Sequence, residues 1–215
     1  MKQIFKRTIL LAICILTATV IFAQHTEWGV KTGVNLATQV RNITKISDNN
    51  MRTGIYAGLF AEYRVSNSLG IQGELLYSEM GGKFKYQGPL EEDRYNGYPS
   101  LINTNPVFND TNKNDYIVLP IMAKLYVAKK LSIDLGPQFG YMISAKYKSN
   151  NELFNGSYYS SSNNNKIDAS LGIGLSYKLG KLDISGRYNL GITDVSKYSS
   201  RQNYVIQFGL GYRIK

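Results

Sequence analysis

The sequence predicts an all-β chain, an eight-stranded antiparallel up-and-down transmembrane β-barrel with short periplasmic turns and long outer loops. Three observations carry this. Eight segments alternate apolar with polar residues, the connections between them alternate long with short, and aromatic residues collect near the segment ends. Successive side chains of a strand point to opposite faces, so one apolar and one polar face suit a wall between lipid and a polar interior. A membrane-spanning helix needs about 20 consecutive apolar residues, whereas a barrel strand needs about 9–11 alternating ones. Twenty glycines, seventeen tyrosines and a slightly negative mean hydropathy fit the barrel, which a hydropathy average hides.

The 215 residues suit one barrel domain, 24–215, behind a signal peptide, 1–23. Lys2, Lys6 and Arg7 give a positive start, Thr8 to Val20 an apolar run, and Ala23 a residue for cleavage before Gln24. Export on that segment implies the outer membrane of a Gram-negative-type bacterium. Cys14 lies inside the apolar run, so the mature chain has no disulfide, thiol nucleophile or cysteine metal site. Loss of Lys2, Lys6 and Arg7 lowers the formal charge from +10 to +7. On an exported chain this excess points to anionic lipid headgroups and away from nucleic acid.

Taken in order, the first strand runs from Glu27 to Ala37, with Trp28, Val30, Thr32, Val34 and Leu36 on its apolar face. The second, Arg52 to Val65, puts Ile55, Ala57, Leu59, Ala61, Tyr63 and Val65 outside, and Arg52, Glu62 and Arg64 opposite. Ser66-Asn67-Ser68 is a tight turn of turn-forming residues. The third strand rises from Leu69 and reaches toward Tyr86, with a bulge expected at Gly81-Gly82. The longest loop, about Gln87 to Asp115, precedes the fourth strand, Tyr116 to Val127, where Pro120 calls for a second bulge.

A turn at Ala128-Lys129-Lys130 leads to the fifth strand, Leu131 to Lys148. Its expected outer face includes Phe139, Tyr141, Ile143, Ala145 and Tyr147, with Ser144 and Lys146 opposite. An Asn/Ser-rich loop, Ser149 to Asn165, separates it from the sixth strand, Lys166 to Leu179. Gly180-Lys181 has the length of a tight hairpin, and the seventh strand follows from Leu182 to Ile192. The eighth, Asn203 to Ile214, sets Tyr204, Ile206, Phe208, Leu210, Tyr212 and Ile214 against Asn203, Val205, Gln207, Gly209, Gly211 and Arg213. An apolar edge here invites aggregation unless paired, and the first strand is its natural partner.

The sorting of connections orients the barrel, because outer-membrane barrels keep short turns on the periplasmic side and long loops outside. Trp28, Tyr63, Tyr177 and Tyr212 then fall at the periplasmic ends, and Tyr147, Tyr188 and Tyr204 at the outer ends. Rings with a polar tip settle at headgroup level, so these form two girdles.

Several segments carry a resemblance: G-V-K-T-G-V-N (Gly29 to Asn35), Y-I-V-L-P-I-M-A-K (Tyr116 to Lys124), L-G-P (Leu135 to Pro137) and the closing Q-x-G-x-x-Y-x-I (Gln207 to Ile214). On these the chain resembles the PorT-like outer-membrane β-barrel family across the mature length. The resemblance implies an eight-stranded barrel, with a link to a secretion or gliding apparatus in some members.

The inward faces predict a polar lumen network of Glu62, Arg64, Glu74, Lys124, Asp134, Asp168, Arg187 and Arg213, with Lys178 and Asp183 on the same face. Eight strands leave an interior just wide enough for side chains, and charges there are costly unless paired. A structural, salt-bridged plug is the expectation. Arg52, Lys83, Lys85, Lys146, Lys148 and Arg201 fall near the outer membrane boundary, where they suit contact with lipopolysaccharide phosphates. Loop aromatics, among them Tyr95, Tyr98, Phe108, Phe154, Tyr158 and Tyr159, suit contact with envelope proteins.

Catalysis finds no footing. His25, the one histidine, precedes the first strand, and the acids Glu91, Glu92 and Asp93 adjoin one another in a loop without calcium-loop spacing. No enzyme, cofactor or metal site is expected. The reading is a non-enzymatic structural or accessory outer-membrane protein. Two alternatives stand beside it: a porin-like transport protein with a narrow lumen, and a soluble lipocalin-like carrier, which needs an apolar interior and a polar exterior.

Overall fold

The computed structural model describes residues 26–40, 51–87, 107–149, 156–159, 164–197 and 200–215. The expected signal peptide, His25 and the acidic run Glu91 to Asp93 lie outside these residues. The strands are β1 (Thr26–Val40), β2 (Arg52–Arg64), β3 (Leu69–Gln87), β4 (Val107–Tyr126), β5 (Leu131–Ser149), β6 (Gly156–Tyr159), β7 (Ile167–Leu179), β8 (Leu182–Asp194) and β9 (Gln202–Arg213). Eight of them pair antiparallel with their neighbours in a closed ring, and β6 attaches as a short ninth to the outer end of β5.

Closure is the step that removes the open edges. β9 runs against β1 from Gly29↔Arg213 to Val40↔Gln202, and Trp28 N–H continues the ladder to the Lys215 carbonyl at 3.0 Å. At the level of Gly33 and Gly209, which face each other across this seam, the Tyr56 ring lies across the lumen. A Cβ on Gly209 would sit 1.8 Å from the Tyr56 hydroxyl, so that inward position must be glycine while the ring is there. The periplasmic turns are as short as expected. Ser66 Oγ accepts from Leu69 N–H at 3.1 Å, and Gly180 supplies φ of +62° for the β7–β8 hairpin.

The face that alternation assigns to lipid is exposed and apolar. Val30, Ile55, Leu59, Leu75, Leu119, Leu135, Ile173, Ile184 and Leu210 are all large and uncovered. This is the reverse of the soluble carrier, whose apolar surface would be inside.

Three details depart from the expectation. First, β4 begins at Val107 and β3 runs to Gln87, so a hairpin extends the wall beyond the barrel. Residues 107–115 carry no apolar alternation, and backbone pairing with β3 makes them a strand. Second, the expected bulges are displaced. Through Gly81 and Gly82 the β3–β4 register is continuous, although Gly81 has φ of +130°. At Pro120 the β3–β4 ladder skips two pairs, since Gly73↔Ile121 is followed by Leu76↔Val118, without a bulge. The register shift lies instead on the β4–β5 side, between Asp115 and Tyr116.

Third, that shift turns side chains over. Tyr116 faces Met142 but Asp115 faces Ser144, so Ile143 is an extra residue and the parity of β5 reverses beyond it. Ala145 is buried at 5% exposure and Tyr147 turns its hydroxyl to Asp110, whereas both were expected against lipid. Lys146 and Lys148 are exposed, although Lys146 was expected on the inward face. Tyr204 also leaves the expected outer girdle. It is buried, with its hydroxyl 3.1 Å from Gln202 Oε1, beside the β8–β9 register shift after Leu190.

Candidate functional site

The lumen is built in layers because each inward position of one strand stands level with an inward position of the next. At the periplasmic end Glu62 is the hub. Its carboxylate meets Lys178 Nζ at 3.0 Å and Arg64 Nε at 3.3 Å, and accepts from the Tyr126 hydroxyl. Arg64 also stacks its guanidinium 3.4 Å from the centre of the Tyr126 ring. Glu27 closes the layer, with Lys178 at 2.9 Å and Arg213 Nε at 3.2 Å, while Arg213 also pairs with Asp183. On the adjacent strands β4 and β5, Lys124 meets Asp134 at 3.4 Å, and Asp134 accepts from Ser132 Oγ and Ser176 Oγ.

The next layer is the most enclosed. Glu74 accepts a two-pronged contact from Arg187, at 2.6 and 3.1 Å, and one from Lys31 Nζ at 3.0 Å. Gln72 Nε2 adds a fourth donor at 2.6 Å. Glu74 is 2% exposed and Lys31 and Arg187 are 6% exposed, so these charges lean on one another rather than on water. A charge so enclosed must be paired and hydrogen-bonded to persist.

Further out amides take over most of the bonding. Asn189 donates to Gln207, Gln207 to Asn35, and Asn35 to Ser78, at 2.8 to 2.9 Å. A second amide relay runs from Asn112 to Gln39 to Asn203, whose Nδ2 donates to Asp168 at 2.8 Å and to the Tyr116 hydroxyl at 3.2 Å. Between them packs an apolar cluster that includes Tyr56, Leu76, Met80, Tyr116, Val118, Met142 and Val205. Over the mouth, Phe84 of the β3 extension carries the Arg201 guanidinium 4.8 Å from its ring centre.

Seven of the eight expected lumen residues are therefore buried within the barrel; Arg64 is partly exposed at the periplasmic edge. Six join the ion pairs with Arg64, and Asp168 stands apart in the amide relay. Lys31, on the inward face but outside the expected set, is the missed member of the central layer. The inner apolar cluster was missed as well, although Leu76, Tyr116, Val118 and Val205 all hold inward parity in the sequence.

The outer cations divide. Arg52 does not belong to an exposed rim: it is 8% exposed, donating to the Met80 carbonyl and to Glu79, both at 3.0 Å. Arg201 is committed to Phe84 over the mouth. Lys83, Lys146 and Lys148 are exposed on the β3–β5 extension, and Lys113, absent from the expected rim, stands among them. The Lys85 backbone lies opposite Asn109 in the same extension. Phe108, Tyr158 and Tyr159 fall in its strands, while Tyr95, Tyr98 and Phe154 lie outside the described residues.

Comparison with known proteins agrees with this geometry. Among curated proteins none matches the chain. The fold is similar to the crystal structure of Neisserial surface protein A, with a TM-score of 0.54 and 13% identity over 87% of this chain and 97% of that one. It is also similar to Ail, the attachment invasion locus protein of Yersinia pestis, with a TM-score of 0.48 and 15% identity over 88% of this chain and 99% of that one. Residues 22–197 match the model of a family described as outer membrane protein beta-barrel domain. The chain belongs to that family of outer-membrane β-barrels.

Proposed function

We propose that this protein is a non-enzymatic outer-membrane barrel that works through its outer end, as a structural or accessory component of a secretion or surface-assembly complex. The observation that carries the reading is the filled lumen. Glu74 with Lys31 and Arg187 blocks the axis with buried, mutually paired charges, and the apolar cluster and the Phe84–Arg201 contact lie above it. A transport protein needs a path, and a lumen closed at several levels argues for a surface role. Residues 1–23 serve as the cleaved signal peptide in this reading, and the resemblance to the PorT-like group supports the secretion link. The partners are outer-leaflet lipopolysaccharide at the membrane boundary and envelope proteins at the outer loops.

Purification of the tagged protein from its own outer membrane in mild detergent tests this. Stoichiometric recovery of the same envelope proteins, lost when residues 88–106 are replaced by a short linker, is the expected result. A barrel recovered alone under cross-linking would overturn the accessory role.

A further inference from the structure

We propose that the outer half of the lumen binds an alkali-metal cation between Asp168, Ser170 and Gln138, with water completing its shell. The inference rests on the closed barrel alone and is independent of what the outer end of the protein contacts.

Asp168 is a buried acid without a counter-charge. It is 3% exposed, and among the described residues it makes no ion pair and one hydrogen bond, from Asn203 Nδ2 at 2.8 Å. Apolar groups crowd its other side. Gly140 stands opposite, and a Cβ there would lie 3.3 Å from Asp168 Cβ, 3.3 Å from Val118 Cγ1 and 3.4 Å from Tyr116 Cδ1. Lys166, two residues away, is exposed. A carboxylate so enclosed is costly unless a positive charge joins it.

The next inward row supplies the other ligands. Gln138 and Ser170 stand directly opposite each other on β5 and β7, where Cβ atoms are about 4.5–5.5 Å apart. That is within reach of a hydrogen bond, yet the Ser170 hydroxyl and both ends of the Gln138 amide are buried with no partner. Gln138 is 1% exposed and Ser170 4%. Ser170 lies two residues from Asp168 on the same face, roughly 7 Å along the strand. One row further in, Asn189 Oδ1 is also unpartnered, over Gly172, where a Cβ would meet it at 2.8 Å. Buried polar atoms are satisfied almost without exception, so this run of them marks a bound species.

Charge names the species. The unmet groups are mostly oxygens, which suit a hard cation, and they surround a single carboxylate. Divalent ions draw on several carboxylates, and no cluster of three acids occurs among the described residues. One positive charge neutralises Asp168, and a water on it accepts from Gln138 Nε2. Polar groups also lead to the site from outside. Asn203 accepts from Gln39 at 3.0 Å and Gln39 from Asn112 at 3.1 Å, above the Glu74 layer that closes the axis.

The test unfolds the full mature chain with urea in lipid vesicles, with sodium chloride replaced stepwise by choline chloride at constant ionic strength. The buffer is held at about pH 8, where an ordinary carboxylate is ionised. A cation that binds only the folded chain raises the folding constant about tenfold per tenfold rise in sodium once the site fills. The wild type is expected to show that rise. Asp168→Asn keeps the shape without the charge and is expected to show none. Asp194→Asn removes an acid at the outer end of β8, outside the site, and is expected to keep the wild-type dependence. Gln138→Leu is expected to need about tenfold more sodium for the same gain, whereas an amide that only fills space would leave the dependence unchanged and would remove Gln138 from the site. Should Asp168→Asn fail to fold, Ser170→Ala carries the test with a similar shift of about tenfold. A wild type indifferent to sodium would overturn the site and leave water as the bound species. Equal sodium dependence in the wild type and Asp168→Asn would overturn it too. Saturation by calcium far below the sodium range would reassign the group to a divalent ion and overturn the alkali-metal assignment.

Discussion

The two halves of the lumen fill a similar cross-section with different chemistry. The periplasmic half is a lattice of opposite charges centred on Glu62 and Glu74, whereas the outer half is amides and apolar side chains around Asn203 and Tyr116. The charged half is brittle, because deleting one member strands its partners as buried ions. The outer half is forgiving where amide bonds to amide, from Asn189 through Gln207 to Asn35, because deleting one leaves dipoles, which cost far less to strand.

The sharpest way to break this contrast is Glu74→Ala. It leaves Lys31 and Arg187 facing each other without their carboxylate and should cost about 3–5 kcal/mol, read by urea unfolding in lipid vesicles. A loss under 1 kcal/mol would mean that water reaches the central layer. Gln207→Ala, at the centre of the amide relay from Asn189 to Ser78, should cost less, about 1–3 kcal/mol in the same assay. If it equals Glu74→Ala, the two halves do not differ as described.

Smaller effects sharpen the comparison at its edges. Phe84→Ala removes the Arg201 contact, which at a partly exposed site is worth about 0.5–1 kcal/mol. Hydrogen exchange should quicken in the outer end of β3 and stay unchanged in β1 and β9. The smallest net change belongs to K31L/E74M/R187L, which replaces the whole central layer by apolar groups. Such replacements are neutral or stabilising when they pack, so stability should stay within about 1–2 kcal/mol of the wild type. A loss as large as that of Glu74→Ala would show that the layer does more than fill space.

The barrel wall was legible in the sequence because its signal is local. Apolar alternation, two-residue and three-residue turns and the order of loop lengths each sit within one or two strands. The inward charges were legible as a set for the same reason, through the parity of Glu62, Glu74, Asp134 and Arg187. Their pairing was not, since Arg187 and Glu74 are 113 residues apart and meet only once the ring closes. The bulge left no mark in the sequence because Ile143, Ala145 and Tyr147 continue the apolar alternation of β5 straight through it. That one extra residue decides which way Ala145, Lys146, Tyr147 and Lys148 face. β6 and the outer half of β4 were hidden in polar sequence without apolar alternation, where backbone pairing with the neighbouring strand defines the element.

Planar-bilayer recording of the refolded wild-type barrel bears most directly on the claim that the lumen is a plug. The account predicts no stable conductance above the bare bilayer at moderate voltage, and none in Glu74→Ala either, because the Glu62 layer and the outer apolar cluster still close the lumen. A steady wild-type conductance that shrinks or changes ion selectivity on mutation of Glu74 or Arg187 would contradict it, and would make the charged lattice the lining of a path.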